Sequence, residues 1–307
     1  MYSDKNVYLL LEGGIKVRRW GAWFVLFLSI SLPIWASTPL FWNQLAVERN
    51  CPLNQQAVWV NYDGGHDCIR YFPAGDLQGA ANVLVVLYGD RDSLMRRDPA
   101  TIADNTLEAQ NQKAQQLSKR VRLPVIILAR PGTYGSSGNH AQRRQRAEFL
   151  AIDAALTRLR EQYGIQKFIL SGHSGGATAA AAVMTLGRQD ISCAILSSGA
   201  YGLLERAARL RALRGEPGQP NKDLTGFANP YDPLDYIMNI TKDAKRHILV
   251  IGNLQDHVTP FDLQVKFAAA LRTQGHWVSL IEWPAIAPQF HNLKSNMLLH
   301  NLQQCTL

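Results

Sequence analysis

The sequence predicts an α/β fold, with a mainly parallel central sheet and helices on both faces of that sheet. Apolar, β-rich runs alternate with helical stretches along most of the chain, as is typical of parallel strands joined by crossover helices. Several of these runs are apolar without interruption, which indicates strands covered on both faces. The chain has 307 residues, of which 47% are hydrophobic, so one domain of this class can account for most of it.

Eight segments have the pattern of strands, and five segments have the pattern of helices. The predicted strands are residues 57–61, 69–72, 82–87, 123–129, 167–170, 191–196, 247–251 and 277–283. The predicted helices are residues 102–120, 141–163, 177–186, 261–274 and 291–304. Residues 202–240 interrupt the alternation with a charged helical stretch and turn-rich stretches, so we expect a small helical, lid-like insertion within a domain of residues 37–307.

The first 36 residues have the layout of a targeting segment. The basic stretch Lys16-Val-Arg-Arg19 precedes the nearly uncharged apolar stretch Trp20 to Ala36. This order predicts a signal peptide and therefore export to the periplasm or the outside of the cell. An uncleaved signal anchor formed by residues 20–36, with membrane association through that segment, is the alternative, and a buried core helix is a third reading.

The formal net charge of +8 raises the question of an anionic partner. The arginines cluster at residues 143, 144 and 146 and again at residues 206, 209, 211 and 214. Both clusters fall in helical stretches, where we expect solvated faces; a site for an acidic ligand or an anionic envelope surface is the alternative. No basic motif interleaved with aromatic residues is present, so we expect no nucleic-acid partner.

The four cysteines do not have the spacing of metal ligands, so no metal site is predicted. Cys51 and Cys68 flank a short segment near the start of the domain, and in an exported protein we expect a disulfide between them. Cys193 lies in the apolar run of residues 191–196, where we expect a buried thiol.

The strongest local motif is Gly172-His173-Ser174-Gly175-Gly176. It follows the predicted strand 167–170 and opens the predicted helix that starts at Ala177. That context is required of a nucleophile elbow, in which a serine sits on a sharp strand-to-helix turn between small residues. The alternative, a glycine-rich turn of a nucleotide-binding fold, lacks support because the chain contains neither GxGxxG nor a Walker motif.

A serine hydroxyl needs a base to take its proton, and the base needs a carboxylate that orients it. Asp256 lies in the loop after strand 247–251, and His291 follows strand 277–283. With Ser174 they are predicted to meet at the carboxyl edge of one parallel sheet, in the order serine, acid, histidine. The alternatives are less well placed: Asp243 and His276 precede their strands, His300 lies deep in the last helix, and His173 and His257 are expected to be structural.

The oxyanion formed during acyl transfer needs hydrogen-bond donors aimed at it. The backbone N–H of Gly175, directly after the nucleophile, is the first candidate. The second lies in the loop after strand 82–87, which reads Tyr88-Gly89-Asp90. Gly89 permits close approach of the backbone, and Tyr88 offers its N–H or its phenol, with an ordinary strand-end aromatic as the alternative reading of Tyr88.

These motifs resemble the α/β-hydrolase superfamily from about Ala57 onward. The tail, with Asn229-Pro-Tyr-Asp-Pro-Leu-Asp-Tyr236 and Val258-Thr-Pro260, is similar to the catalytic domain of the prolyl oligopeptidase family and related esterases. The resemblance implies an α/β-hydrolase fold and an oxyanion role for the hydroxyl of Tyr88. Two departures from that family are the missing second glycine in the Tyr88 loop and the missing glycine beside His291.

The sequence therefore predicts a serine hydrolase that cleaves an ester, thioester or amide through an acyl-serine intermediate. The expected partner is a small-molecule ester or a peptide, and no metal or organic cofactor is expected. The alternative is a catalytically silent α/β-hydrolase domain that acts as an envelope-associated binding protein. A dehalogenase or epoxide hydrolase would need an aspartate at the position of Ser174.

Overall fold

One eight-stranded sheet organises the part of the chain that the structure describes. The computed structural model describes residues 38–305, and the predicted signal segment of residues 1–36 lies outside them. The strands are β1 (Ala57–Tyr62), β2 (Gly65–Ala74), β3 (Asn82–Leu87), β4 (Val125–Leu128), β5 (Lys167–His173), β6 (Ile191–Ser197), β7 (His247–Gly252) and β8 (Trp277–Glu282). The helices are α1 (Leu107–Val121), α2 (Arg146–Tyr163), α3 (Gly175–Thr185), α4 (Leu203–Leu213), α5 (Phe261–Thr273) and α6 (Met297–Leu302).

The order of the strands in the sheet is β1-β2-β4-β3-β5-β6-β7-β8. β1 pairs antiparallel with β2, and β2 pairs antiparallel with β4. All other neighbours are parallel, which confirms the prediction of a mainly parallel sheet. β3, β6 and β7 are almost wholly buried, as their uninterrupted apolar sequences required.

Helices cover both faces of the sheet, again as predicted. The buried side chains of α2, α3 and α5 share one apolar cluster with one face of the strands, and those of α1 and α6 share a second cluster with the other face. Every residue of α3 is buried, and five of its eleven residues are alanines. These small side chains allow α3 to pack closely on the sheet, and its first turn follows directly on the carboxyl end of β5.

Two helices, α1 and α2, begin later than the sequence pattern predicted. In the predicted helix 141–163, Arg144 has a φ of 65°, and its N–H donates to Glu148 Oε2 at 2.7 Å. The helix therefore begins only at Arg146. The predicted helix 102–120 begins at Leu107, where the hydroxyl of Thr106 accepts a hydrogen bond from the N–H of Ala109.

The predicted closing helix 291–304 is reduced to α6. Ala285 and Leu293 form an isolated antiparallel bridge, which holds residues near His291 in an extended loop. Asn296, with a φ of 71°, then sets the start of α6. His291 consequently lies in a loop and not on a helix.

The segment 202–240, predicted to be an insertion, lies between β6 and β7. It contains α4 and the 3-10 helix Pro233–Asn239, which contacts α3 and α5. Its assignment as a lid remains a prediction.

Two disulfides join all four cysteines. The bond between Cys51 and Cys68 is the expected one. The expectation of a free buried thiol at Cys193 is wrong: Cys193 is fully buried but is bonded to Cys305, because the chain after α6 returns to β6. Two disulfides suit an extracellular or periplasmic compartment. Within residues 38–305, no helix combines the length and the apolar character that crossing a membrane requires.

The two disulfides should differ in their contribution to stability. Cys193 and Cys305 are 112 residues apart, whereas Cys51 and Cys68 are 17 residues apart. A longer loop removes more entropy from the unfolded chain, so the double variant Cys193→Ala/Cys305→Ala should lose about 2–5 kcal/mol of unfolding free energy. Denaturant titration without reductant measures this loss.

The matched control is Cys51→Ala/Cys68→Ala, which should lose about 1–2 kcal/mol less than the first variant. A larger loss of unfolding free energy in this control than in Cys193→Ala/Cys305→Ala would contradict the expectation that the longer loop stabilises more. Alkylation of Cys193 in the folded, unreduced protein, detected by mass spectrometry, would also contradict the disulfide between Cys193 and Cys305.

Candidate active site

Ser174 sits at the junction of β5 and α3 in a strained backbone conformation. Its φ of 55° and ψ of −125° lie in a region that non-glycine residues rarely occupy. The surrounding backbone holds it there: the N–H of Ser174 donates to Ser197 O at 2.9 Å, and the N–H of Ala177 donates to Ser174 O at 3.0 Å. Such strain persists only where neighbours fix it, and it concentrates at functional sites.

The glycines around Ser174 are sterically required. A Cβ atom at Gly172 would lie within 3.0 Å of the carbonyl oxygen of Gly176, and one at Gly176 would lie within 3.0 Å of the carbonyl oxygen of Leu87. At Gly175 it would overlap the carboxylate of Asp90. The spacing of these glycines therefore follows from the close packing of the turn against the end of β3.

Asp256 and His291 form a hydrogen-bonded pair on the loops after β7 and β8. His291 Nδ1 lies 2.9 Å from Asp256 Oδ2 and 3.2 Å from Oδ1. The backbone N–H groups of Val258 and Thr259 each donate to Asp256 Oδ1 at 2.8 Å, and the Thr259 hydroxyl donates to Oδ2 at 2.8 Å. These donors fix the buried carboxylate in place.

The electrostatics of this pair define the tautomer of His291. Burial by itself raises the pKa of Asp256, but hydrogen bonding and charge interaction with His291, together with Thr259, outweigh burial and lower the pKa below its usual value. An ionised carboxylate only accepts hydrogen bonds, so Nδ1 of His291 carries the proton and Nε2 is left as the basic nitrogen.

Ser174 and His291 line the same cavity, which has a volume of about 330 Å³ and is also lined by Tyr88 and Gly89. Within residues 38–305, the side-chain hydrogen bonds of His291 are made by Nδ1, to Asp256 and Thr259, and none joins His291 to Ser174 Oγ. Hydrogen bonds of this kind are often open without substrate and close when it binds.

His173 packs beside the paired histidine, as expected of a structural residue. The rings of His173 and His291 lie 4.9 Å apart between centroids. Burial, followed by the neighbouring charge of His291, lowers the pKa of His173 to about 4. His173 is therefore neutral at pH 7 and adds no positive charge beside His291.

Gly89 and Tyr88 lie beside Ser174, but the phenol of Tyr88 is engaged elsewhere. A Cβ atom at Gly89 would be 3.0 Å from His173 O and 3.2 Å from Ser174 Cβ, so glycine allows the close approach here. The hydroxyl of Tyr88 donates to Gln110 Oε1 on α1 at 3.2 Å. Burial raises the pKa of Tyr88 to about 12.

Several arginines predicted to form solvated faces are buried instead. Arg143 and Arg144 are 6% and 3% exposed, and Arg206 and Arg211 are also buried, whereas Arg146, Arg209 and Arg214 keep their side chains in solvent. The expectation fails because helix periodicity does not show carboxylates or backbone carbonyls that are distant in the chain and pair with these arginines.

The partner of two of these cations, and of Arg130, is Asp90, which the sequence analysis did not single out. Its carboxylate pairs with Arg130 at 2.9 Å, with Arg143 at 3.2 Å and, more closely, with Arg144. Burial raises the pKa of Asp90, but the three guanidinium groups outweigh burial and hold the pKa well below its usual range. Its place directly after Tyr88-Gly89 was the sequence feature that could have revealed it.

This ion cluster supports the elbow. The carboxylate of Asp90 occupies the space beside the Cα of Gly175, and Arg144 also pairs with Asp223 at 2.9 Å in segment 202–240. Arg130 pairs with Glu148 on α2 at 2.6 Å. The cluster thus links the loop after β3, the turn at Ser174, α2 and the segment before β7.

The other candidates of the sequence analysis lie outside this arrangement. His257 is exposed, and His300 lies on α6 beside Trp283. Across residues 38–305, no group of three or more histidine, cysteine, aspartate or glutamate side chains is arranged to hold a metal ion.

A family model matches part of this sequence, and solved structures have a similar fold. Residues 139–285 match the model of the prolyl oligopeptidase family. A search of curated protein sequences finds no significant match.

Solved structures with a similar fold include peptidases and esterases. An acylaminoacyl peptidase from Pyrococcus horikoshii has a TM-score of 0.52 and 15% identity over 81% of this chain, which spans only 41% of that protein. The Pyrococcus furiosus esterase Pf2001 has a TM-score of 0.50 and 15% identity, with 87% of this chain and 94% of that chain covered. Est1E from Butyrivibrio proteoclasticus with bound ferulic acid has a TM-score of 0.51 and 13% identity, with 81% and 95% covered.

At these identities the solved structures establish the fold, while the family match bears on the chemistry. The chain therefore has the α/β-hydrolase fold, and the match of residues 139–285 to the prolyl oligopeptidase family model indicates a serine hydrolase.

Proposed function

We propose that this protein hydrolyses an ester, thioester or amide through an acyl-serine intermediate on Ser174. The observation that carries the proposal is the 2.9 Å hydrogen bond between His291 Nδ1 and Asp256, which leaves Nε2 as a base in the cavity that Ser174 also lines. The strained backbone of Ser174 supports the same role, because it is the geometry of a nucleophile elbow.

In the first half-reaction, Ser174 Oγ attacks the substrate carbonyl carbon while His291 Nε2 takes the hydroxyl proton. The tetrahedral intermediate then expels the leaving group, which receives that proton from His291. In the second half-reaction a water molecule attacks the acyl carbon while His291 Nε2 takes its proton. The bond to Ser174 Oγ then breaks, His291 returns the proton to that oxygen, and the carboxylic acid leaves. Asp256 orients the ring and stabilises its cationic form.

The developing oxyanion would be held beside the first turn of α3. The backbone N–H of Gly175 lies at this helix N-terminus, where the helix dipole favours negative charge. We assign the second donor to the backbone of Tyr88-Gly89, since Gly89 approaches Ser174 closely. The Tyr88 hydroxyl would contribute only after it leaves Gln110.

We also propose that the protein is exported and acts on a small-molecule ester or a peptide. The basic and apolar layout of residues 1–36 supports export, and the two disulfides suit an oxidising compartment.

A fluorophosphonate probe tests the nucleophile directly. The wild-type protein should be labelled, and Ser174→Ala should not be, because the probe reacts only with an activated serine hydroxyl. His291→Gln should lower kcat on a p-nitrophenyl ester by about 10⁴-fold or more. Gel fluorescence and steady-state kinetics measure the two effects.

Two variants serve as controls for these substitutions. Ser93→Ala and His257→Gln change exposed residues of the same types and should keep labelling and activity. A folded wild-type protein that the probe does not label would overturn the proposal and favour the catalytically silent domain.

The contact between Gly175 and Asp90 gives a second test. In Gly175→Ala the new methyl group would overlap the Asp90 carboxylate, which three arginines hold in place. We expect a loss of activity of about 100-fold or more, and about 1–3 kcal/mol of unfolding free energy, from the displaced turn. Kinetics and denaturant titration provide the measurements.

Gly218→Ala is the matched control, because a Cβ atom there would meet no atom within 4 Å. Gly218→Ala should leave the activity and the free energy of unfolding unchanged. Full activity of Gly175→Ala would mean that the turn is not held against Asp90.

A further inference from the structure

The side chain of one arginine at the candidate active site, Arg91, has neither an acidic partner nor a hydrogen bond within residues 38–305. The guanidinium groups of Arg130, Arg143 and Arg144 all pair with Asp90, and Arg206 donates to the carbonyl of Val258. Within residues 38–305, the side chain of Arg91 forms neither an ion pair nor a hydrogen bond, and its Nε is buried without a partner. A buried, unpaired donor on a charged group is costly and calls for a partner.

The position of Arg91 aims its charge at the reaction site. It directly follows Asp90 and lines the same cavity as Ser174 and His291. Its backbone is held, because its N–H donates to His140 Nε2 at 3.2 Å. The loop therefore presents this side chain to whatever molecule occupies the cavity.

Two aromatic rings lie beside the guanidinium group of Arg91. The Cζ atom of Arg91 lies 4.9 Å from the ring centroid of Tyr88 and 5.9 Å from that of Tyr134. Cation–π contacts of this kind stabilise the charge without using the N–H donors. The N–H donors project from its edge in a fork that matches the two oxygens of a carboxylate.

The positive charge of Arg91 contributes to the pKa values of two neighbouring groups, His173 and Tyr88. Burial is the main reason that the pKa of His173 is low, and the positive charge of Arg91 lowers it further. Burial raises the pKa of Tyr88, and Arg91 opposes that rise. Both groups line the cavity, so the field of Arg91 reaches the space where a substrate would bind.

We propose that Arg91 binds a carboxylate of the substrate, so that the preferred substrates are anionic esters or amides. This inference rests on the proposed hydrolase function and names its substrate class. The carboxylate lies either on the acyl part, as in a monoester of a dicarboxylic acid, or on the leaving group. The net charge of +8 favours the approach of such anions.

The test compares charged and uncharged esters of similar size on the full chain. In the acyl arm, the p-nitrophenyl monoester of glutaric acid is compared with p-nitrophenyl hexanoate. In the leaving-group arm, 4-carboxyphenyl butyrate is compared with 4-(methoxycarbonyl)phenyl butyrate. The wild-type kcat/KM should favour the anion by about tenfold or more in one arm, which identifies where the carboxylate lies.

Arg91→Met removes the charge but keeps a long side chain. It should lower the ratio of kcat/KM for the anionic over the uncharged ester by about tenfold or more in the arm that the wild type prefers. Arg91→Lys should restore part of the ratio, since a lysine keeps the charge without the fork. Arg96→Met, an exposed arginine of the same loop that does not line the cavity, is the control and should leave the ratio within about twofold of wild type.

The outcomes separate this inference from the proposed function. Probe labelling of Ser174 with no anion preference in either arm, or with the same ratio in wild type and Arg91→Met, overturns the carboxylate site alone. No labelling and no hydrolysis of any ester overturns the hydrolase proposal and this inference with it.

Discussion

The buried carboxylate of Asp90, compensated by three arginines, is the interaction on which the candidate site depends. A buried ion cluster of this kind contributes little net stability when complete, but removing one member leaves a charge uncompensated at a cost of about 3–5 kcal/mol. Asp90 lies against the Cα of Gly175, and Arg144 extends the cluster to Asp223. The packing of the turn at Ser174 is therefore coupled to the segment between β6 and β7, although Asp90 and Asp223 are far apart in sequence.

The same cluster explains the contrast between paired and unpaired cations around the cavity. Asp90 already accepts three guanidinium groups, so it offers nothing to Arg91, the next residue in the chain. The three arginines that pair with Asp90 hold its carboxylate in place. The guanidinium group of Arg91, which lines the cavity, remains available to a ligand. Arg130, Arg143 and Arg144 are therefore paired with Asp90, whereas the side chain of Arg91 has no hydrogen bond or ion pair within residues 38–305.

The sheet and the pairing of Asp256 with His291 could be predicted because they follow from local patterns. Uninterrupted apolar runs identified the parallel strands, and each candidate residue lay in a loop after such a strand. The buried roles of Arg143 and Arg144 could not be predicted, because their partner Asp90 is more than fifty residues away and no periodicity encodes that contact. The disulfide of Cys193 was missed for the same reason, and the shortened last helix reflects the bridge between Ala285 and Leu293.

The positions of the cysteines impose an order on maturation. During synthesis Cys51 and Cys68 emerge first and can pair across a short loop before any other cysteine is present. Cys193 then emerges without an available mate and must wait for the next 112 residues, which include β7 and β8. Early closure of the short loop thus protects against scrambled bonds, and the later covalent closure can occur only once Asp256 and His291 have both been synthesised.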